Sequence, residues 1–200
     1  MKNIRIPAIL GGGLALLLSV PFAAAFAMAY SEYGAAYMIR LGIALDPLLS
    51  FHRSNDVVYR TYGQAFALVH PLLWLAARNW FRLHPPQTGR EKRARALLLW
   101  GGGLAALGVV ADYFSYDTWL MTLFLFEWIG CLTLWAGCFI FGRALLENGQ
   151  MPRWAARLFL LSFLVSIAAT FALAHFPSGP TFGYALAWLV WALGVKPQAA

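Results

Sequence analysis

A single glutamate, Glu127, lies within an apolar stretch that runs from about residue 118 to residue 142. If this stretch is a helix, Glu127 is nine residues into it, ~13 Å along the axis at 1.5 Å per residue. An ionised carboxylate at that depth in lipid costs at least a few kcal/mol, so it must be paired, protonated or in contact with water. Two roles for Glu127 follow from this. It is a ligand- or proton-linked group, or it is a neutral or paired acid that locks helix packing.

Three further side chains complete the predicted set of ligand-binding candidates: Asp112, His70 and His175. Asp112 is near the end of an apolar stretch, where a carboxylate is partly hydrated or bonds to the following turn. His70 precedes a proline, which frees a backbone carbonyl and bends a helix, and such breaks often line cavities in membrane proteins. His175 opens a Pro- and Gly-rich segment that is predicted to be a rigid external turn, in which these residues have ordinary turn roles; a cap over an outward pocket made with Asp112 and Glu127 is the functional alternative. A hydrogen-bonded packing role is the alternative for each histidine.

Neither a metal site nor a cofactor is predicted from the cysteines. Cys131 and Cys138 are seven residues apart in one apolar stretch, and the chain has no CxxC or HExxH motif. On a single helix, residues at that spacing are about 10 Å apart along the axis, too far for a disulfide. The two cysteines are therefore interpreted as small residues that let helices approach.

Small residues form two stripes at helical spacing, which predicts close packing between two membrane helices. The first stripe continues to Asp112, and the second flanks Glu127 and Cys131. Trp128, Trp135 and Phe139 form a neighbouring aromatic flank, which is predicted to face lipid. The predicted helix-packing residues are Gly101, Ala105, Gly108, Gly130 and Gly137.

These residues belong to a chain whose composition excludes an ordinary soluble domain. Of the 200 residues, 61% are apolar and only 12% are charged, and the mean hydropathy is +0.65. Six apolar stretches are each near the ~20 residues that cross ~30 Å of hydrocarbon as a helix, although the last is short. The predicted fold is an all-α, single-domain membrane bundle with about six transmembrane helices, over residues 6–30, 61–81, 97–116, 118–142, 158–176 and 181–195.

The cations predict an orientation for this bundle. With the amino terminus in the cytoplasm, only Arg40, Arg53 and Arg60 of the 15 lysines and arginines lie outside. The positive-inside rule then places both termini in the cytoplasm, with the chain in the plasma (inner) membrane. As an alternative, the first stretch is a cleaved signal peptide that ends near Ala25, which leaves five crossings. The cations predicted to lie inside are Lys2, Arg5, Arg78, Arg82, Arg90, Lys92, Arg93, Arg95, Arg143, Arg153, Arg157 and Lys196.

Two connecting segments and the aromatic residues complete this picture. In the external segment 31–60, leucines on one side of a helical wheel predict a short amphipathic helix that breaks or bends at Asp46-Pro47. A re-entrant segment is the alternative. Segment 82–96 is predicted to be a basic cytoplasmic loop. Aromatic residues near segment ends are predicted to anchor at the head-group level, among them Tyr30, Trp80, Tyr113 and Trp154.

Three classes of function remain open, and nucleic-acid binding is not among them, because the cations flank apolar helices rather than a soluble module. The favoured class is binding or transport of a small or lipidic ligand within the bundle. A non-catalytic accessory or structural subunit is the alternative, with the lipid bilayer, membrane proteins or further copies of the chain as partners. An intramembrane enzyme is the least favoured class, since Ser115, Ser162 and Ser166 have no neighbouring base in sequence.

Overall fold

Helices account for the regular structure of this chain, because its long apolar stretches satisfy their backbone hydrogen bonds internally only as helices or closed barrels. The computed structural model describes residues 2–50, 53–115, 124–176 and 178–194. The described residues contain no strand, so the all-helical prediction is confirmed. The helices are α1 (Lys2–Ala29), α2 (Ala36–Leu49), α3 (Asn55–Phe66), α4 (Val69–Leu83), α5 (Gly89–Phe114), α6 (Phe124–Asn148), α7 (Arg153–Leu173) and α8 (Ser178–Gly194).

The helices form a closed, antiparallel ring of six columns, in which α3 and α4 together make one column. From α4 to α8 each helix packs on the next, and α8 packs back on α1, which also contacts α3 and α4. The start of α1 lies against the end of α8, where Arg5 Nε donates a hydrogen bond to the Ala192 carbonyl at 2.9 Å. Helix α2 lies on α1.

Four of the helices are long and apolar enough to cross a membrane, which fits an integral membrane bundle: α1 from Asn3, α5, α6 and α7. The other two columns are shorter. Helix α8 has 17 residues, or about 25 Å at 1.5 Å per residue, slightly less than ~30 Å of hydrocarbon. Helices α3 and α4 have 12 and 15 residues.

The second predicted stretch, 61–81, differs from the structure because it is divided between α3 and α4. The break lies at Ala67 and Leu68, one turn before Pro71. Pro71 has no N–H to donate to the carbonyl four residues earlier, and its ring clashes with that carbonyl, which belongs to Ala67. The backbone tightens there, and Leu68 N donates to the Ala65 carbonyl, three residues back, at 3.3 Å.

Two connecting segments also differ from the sequence prediction. The external segment 31–60 contains α2 and the first turns of α3, and α2 continues through Pro47, where a break was expected. Pro47 lies in the last turn of α2, so it removes one hydrogen bond just before the helix ends at Leu49. In the basic segment 82–96, only residues 84–88 lie outside helices. The predicted helix start at residue 118 lies outside the described residues.

The two ends of the ring differ in what fills them. We call the end where α1 and α5 begin and α6 ends the basic end, because it carries Arg5, Arg90, Lys92, Arg143 and Arg153. Large aromatic side chains fill the interior there. Trp80, predicted to be an interfacial anchor, is one of them and is buried, with its ring 5.5 Å from that of Trp191. The others are Phe141, Phe159 and Trp188. The opposite end holds the candidate site.

Candidate ligand-binding cleft

An open cleft of about 210 Å³ lies where α1 and α5 end and α3 begins. We call it the aromatic cleft, because five of its seven lining residues are aromatic. Its two remaining lining residues carry opposite charges. The lining residues are Phe26, Tyr30, Tyr33, Tyr59, Tyr113, Arg60 and Asp112.

The sequence positions these side chains through helical spacing and one glycine. Phe26 and Tyr30 are four residues apart, at the end of α1 and just beyond it, and their rings lie 5.4 Å apart. Across the cleft, the hydroxyls of Tyr59 on α3 and Tyr113 on α5 are 2.6 Å apart and share a hydrogen bond. Gly63, one turn after Tyr59, leaves room for the Tyr113 ring, which a Cβ at that position would overlap. The tyrosine pair therefore depends on Gly63.

Phe22 packs on two of the rings that line the aromatic cleft and joins them to the interior. Its fully buried ring lies 5.4 Å from Tyr59, 5.3 Å from Tyr113 and 4.5 Å from His175. It also lies 5.4 Å from Phe66, which contacts the His70 ring. A continuous set of rings thus runs from the cleft to the break between α3 and α4.

Glu127 is buried close to this cleft, with only 3% of its surface exposed. It packs on Gly108 of α5, where a Cβ would overlap the Glu127 backbone nitrogen. Gly108 is six residues before the end of α5, so Glu127 lies about 9 Å below that end. Its Oε1 atom has no hydrogen-bond partner among the described residues. A buried carboxyl oxygen without a partner is costly and marks a candidate binding group.

The charges around Glu127 are mainly negative. Its described electrostatic neighbour is the Asp112 carboxyl, and Glu127 itself influences the hydroxyls of Tyr59 and Tyr113. Both tyrosines line the aromatic cleft, so Glu127 lies close to two of its lining residues. Arg60 lines the cleft too, but its Nε lies 3.6 Å from Asp56 Oδ2.

The two predicted histidines lie in different surroundings. His175 is 2% exposed, shares a 2.8 Å hydrogen bond between its Nδ1 and Ser178 Oγ, and has no partner for Nε2 among the described residues. Burial lowers the pKa of His175 to about 3, so its ring is neutral at physiological pH. His70 is equally buried, but it contacts Phe66 rather than the cleft. Asp112, Glu127 and His175 therefore cluster around the cleft, and His70 lies apart.

The small-residue stripes lie at the contact between α5 and α6. A Cβ on Gly130 would overlap the Ala105 backbone, and one on Gly101 would come within 2.9 Å of the Gly130 carbonyl oxygen. Gly137 lies against Leu98. These approaches fix the depth of Glu127, because they set the register of α6 against α5. Trp135 departs from the predicted lipid-facing flank: it is half-buried, and its Nε1 donates a 2.9 Å hydrogen bond to the Pro180 carbonyl on α8.

Sequence reasoning missed most of the aromatic cleft. Tyr113 was expected to be an interfacial anchor, yet it is 3% exposed and forms the cleft wall. Phe22 and Tyr59 were not singled out, and Arg60 was named only as an external cation. The available signal was the run of aromatic residues spaced four apart near the end of the first stretch, at Phe22, Phe26 and Tyr30.

The described residues contain no group of three or more His, Cys, Asp or Glu side chains arranged to hold a metal ion. Cys131 and Cys138 are both buried and reduced. Comparison of the chain with protein-family models, curated proteins and solved structures finds no match. The geometry of the aromatic cleft and its surroundings is therefore the basis for a functional proposal.

Proposed function

We propose that the chain is a six-crossing membrane protein with both termini in the cytoplasm of a plasma (inner) membrane. Six antiparallel columns support this topology, since the pair α3–α4 and the short helix α8 occupy positions in the ring equivalent to the four longer helices. The orientation rests on charge, because 12 of the 15 cations fall on the side that becomes cytoplasmic. The aromatic cleft then opens to the outside.

We further propose that this protein binds, or binds and transports, a small ligand that enters through the aromatic cleft. One observation carries the proposal: an open cleft lined by Asp112 lies close to a second carboxyl, that of Glu127, which is buried and has an oxygen without a partner among the described residues. An apolar pocket with a few convergent polar groups is the usual form of a small-molecule site. A purely structural acid in such a place would be expected to have its oxygens satisfied.

Chemical access to the cleft tests this proposal without requiring knowledge of the ligand. In a background with Cys131 and Cys138 replaced by alanine, Asp112→Cys lines the cleft and Gln150→Cys lies exposed at the basic end. We expect a membrane-impermeant maleimide added to intact cells to label Asp112→Cys but not Gln150→Cys. Permeabilised cells should show labelling at both positions.

Three results would overturn the proposal. Labelling of Gln150→Cys in intact cells would reverse the orientation. If both positions label from one side, the number of crossings between them is wrong. An Asp112→Cys variant that stays unlabelled in intact and permeabilised cells would show that the cleft is closed to solutes.

A further inference from the structure

The aromatic cleft has the composition of a site for a positively charged organic group. Three of the rings that line it pack edge to face on one another: Tyr30 lies at 86° to Tyr59, and Tyr59 lies at 74° to Tyr113. Aromatic rings present negative faces, and several of them around one space recognise quaternary or methylated ammonium groups. This arrangement favours a cation whose charge is spread over alkyl groups.

The local charges point to the same ligand class. The two charged side chains that line the cleft are Asp112 and Arg60, and Arg60 also pairs with Asp56. His175 adds no positive charge because its ring is neutral at physiological pH. A bound cation would offset the charge of the Asp112 carboxylate, whereas a bound anion would be repelled by it.

The size of the cleft limits the ligand to a compact molecule. A protein cavity of about 150 Å³ accommodates benzene. At about 210 Å³, and open on one side, the aromatic cleft accepts a trimethylammonium group with a short polar arm. Larger aromatic cations would extend beyond the lining residues.

We propose that the ligand of the aromatic cleft is a compact alkylammonium ion, held by the rings of the four lining tyrosines and by the Asp112 carboxylate. This inference rests on the proposed function and names its ligand class. Asp112 supplies the direct charge contact at the cleft, and Glu127 is a further carboxyl buried close to it.

Calorimetric titration of the purified full-length protein in lipid nanodiscs tests the proposal with choline and tetramethylammonium as probes. The matched neutral probe is 3,3-dimethyl-1-butanol, which replaces the choline nitrogen by carbon and keeps its shape. We expect both cations to bind saturably and at least tenfold more tightly than the neutral probe. Asp112→Asn should weaken choline binding at least tenfold, whereas Asp46→Asn, a carboxyl at the same end but outside the cleft, should leave it within twofold.

A variant at an exposed position distinguishes loss of the ligand contact from loss of folding. Tyr33 is 75% exposed, so Tyr33→Leu keeps an apolar side chain there without disturbing the core. It removes the ring and should weaken choline binding several-fold, while Tyr33→Phe should retain it. Equal affinity for choline and its neutral analogue, preference for inorganic phosphate, or no binding of either cation would each overturn the proposal. If Asp112→Cys is nevertheless labelled from outside, the proposed function stands and only the ligand class is wrong.

Discussion

Two buried glutamates lie at opposite ends of the same helix pair, and their surroundings are opposite in kind. Glu91, at the start of α5, accepts hydrogen bonds from the backbone nitrogens of Gln87 and Thr88 at 2.6 and 2.9 Å and from Asn148 Nδ2 at 2.6 Å. Glu127, at the start of α6, has an oxygen with no partner among the described residues and a second carboxyl nearby. Burial alone therefore does not identify a functional acid. The two acids differ in whether their oxygens have hydrogen-bond partners among the described residues.

The two glutamates differ in hydrogen bonding because they occupy different structural settings. Glu91 completes a capping box with Thr88, which satisfies the free N–H groups at the start of α5, and Asn148 joins that cap to the end of α6. Glu127 instead lies against Gly108, at a helix contact made by close backbone approach. The basic end is thus stabilised by hydrogen bonds to both oxygens of Glu91, whereas the cleft end has a buried Glu127 oxygen without a partner among the described residues.

The largest expected effect is at the contact that buries Glu127. A Cβ in Gly108→Ala would overlap the Glu127 backbone, so α5 and α6 must separate at the cleft end, with a loss of about 1–3 kcal/mol in stability. Gly103→Ala is the matched control, because nothing lies within 4 Å of its Cβ. Thermal unfolding in nanodiscs measures both variants. Equal tolerance at the two glycines would mean that the α5–α6 contact is wrongly placed.

The cap at the basic end should affect stability without affecting the cleft. Glu91→Ala leaves the N–H groups of Gln87 and Thr88 without their acceptor, at a cost of about 1–2 kcal/mol. We expect a lower unfolding temperature and unchanged choline affinity. A Glu91→Ala protein that stays folded but loses choline binding would show that the basic end and the cleft end are coupled, which would contradict their independence.

A smaller effect should appear in the pH dependence of stability. Because the pKa of His175 is about 3 in the folded protein and ~6.5 when unfolded, the unfolded chain alone takes up its proton between these values. Stability should therefore fall as the pH is lowered from about 6.5 towards 3. His175→Asn, which can keep a hydrogen bond to Ser178, should show a shallower fall in unfolding temperature. Identical pH profiles for the two proteins would contradict the burial of a neutral His175.

The sequence predicts the helices and the α5–α6 stripes well, because both depend on residues close together in the chain. Gly101, Ala105 and Gly108 recur at helical spacing, and that periodicity is visible without a structure. The Thr88–Glu91 cap also has a local signature, a threonine followed three residues later by a glutamate. Patterns of residues close together in the chain therefore predict the helices and the α5–α6 contact.

The cleft could not be predicted in the same way, because its members meet only through the fold. Tyr59 and Tyr113 are 54 residues apart, and their contact depends on Gly63, whose importance appears only beside the Tyr113 ring. An aromatic residue near a segment end has the same local pattern whether it anchors in head groups or turns inward, as the exposed Tyr30 and the buried Tyr113 show. Only the packing of α1, α3 and α5 separates these cases.

The central claim is that Glu127 serves the ligand and Glu91 serves the fold, and one paired measurement tests it most directly. Choline affinity and unfolding temperature are measured together for Glu127→Gln and Glu91→Gln, each of which replaces a carboxyl group by an amide with little change in shape. We predict that Glu127→Gln keeps its unfolding temperature and loses at least tenfold in choline affinity, whereas Glu91→Gln unfolds at a lower temperature and keeps its affinity. If Glu127→Gln binds choline as the unmodified protein does, the claim is contradicted, and Glu127 is a structural acid.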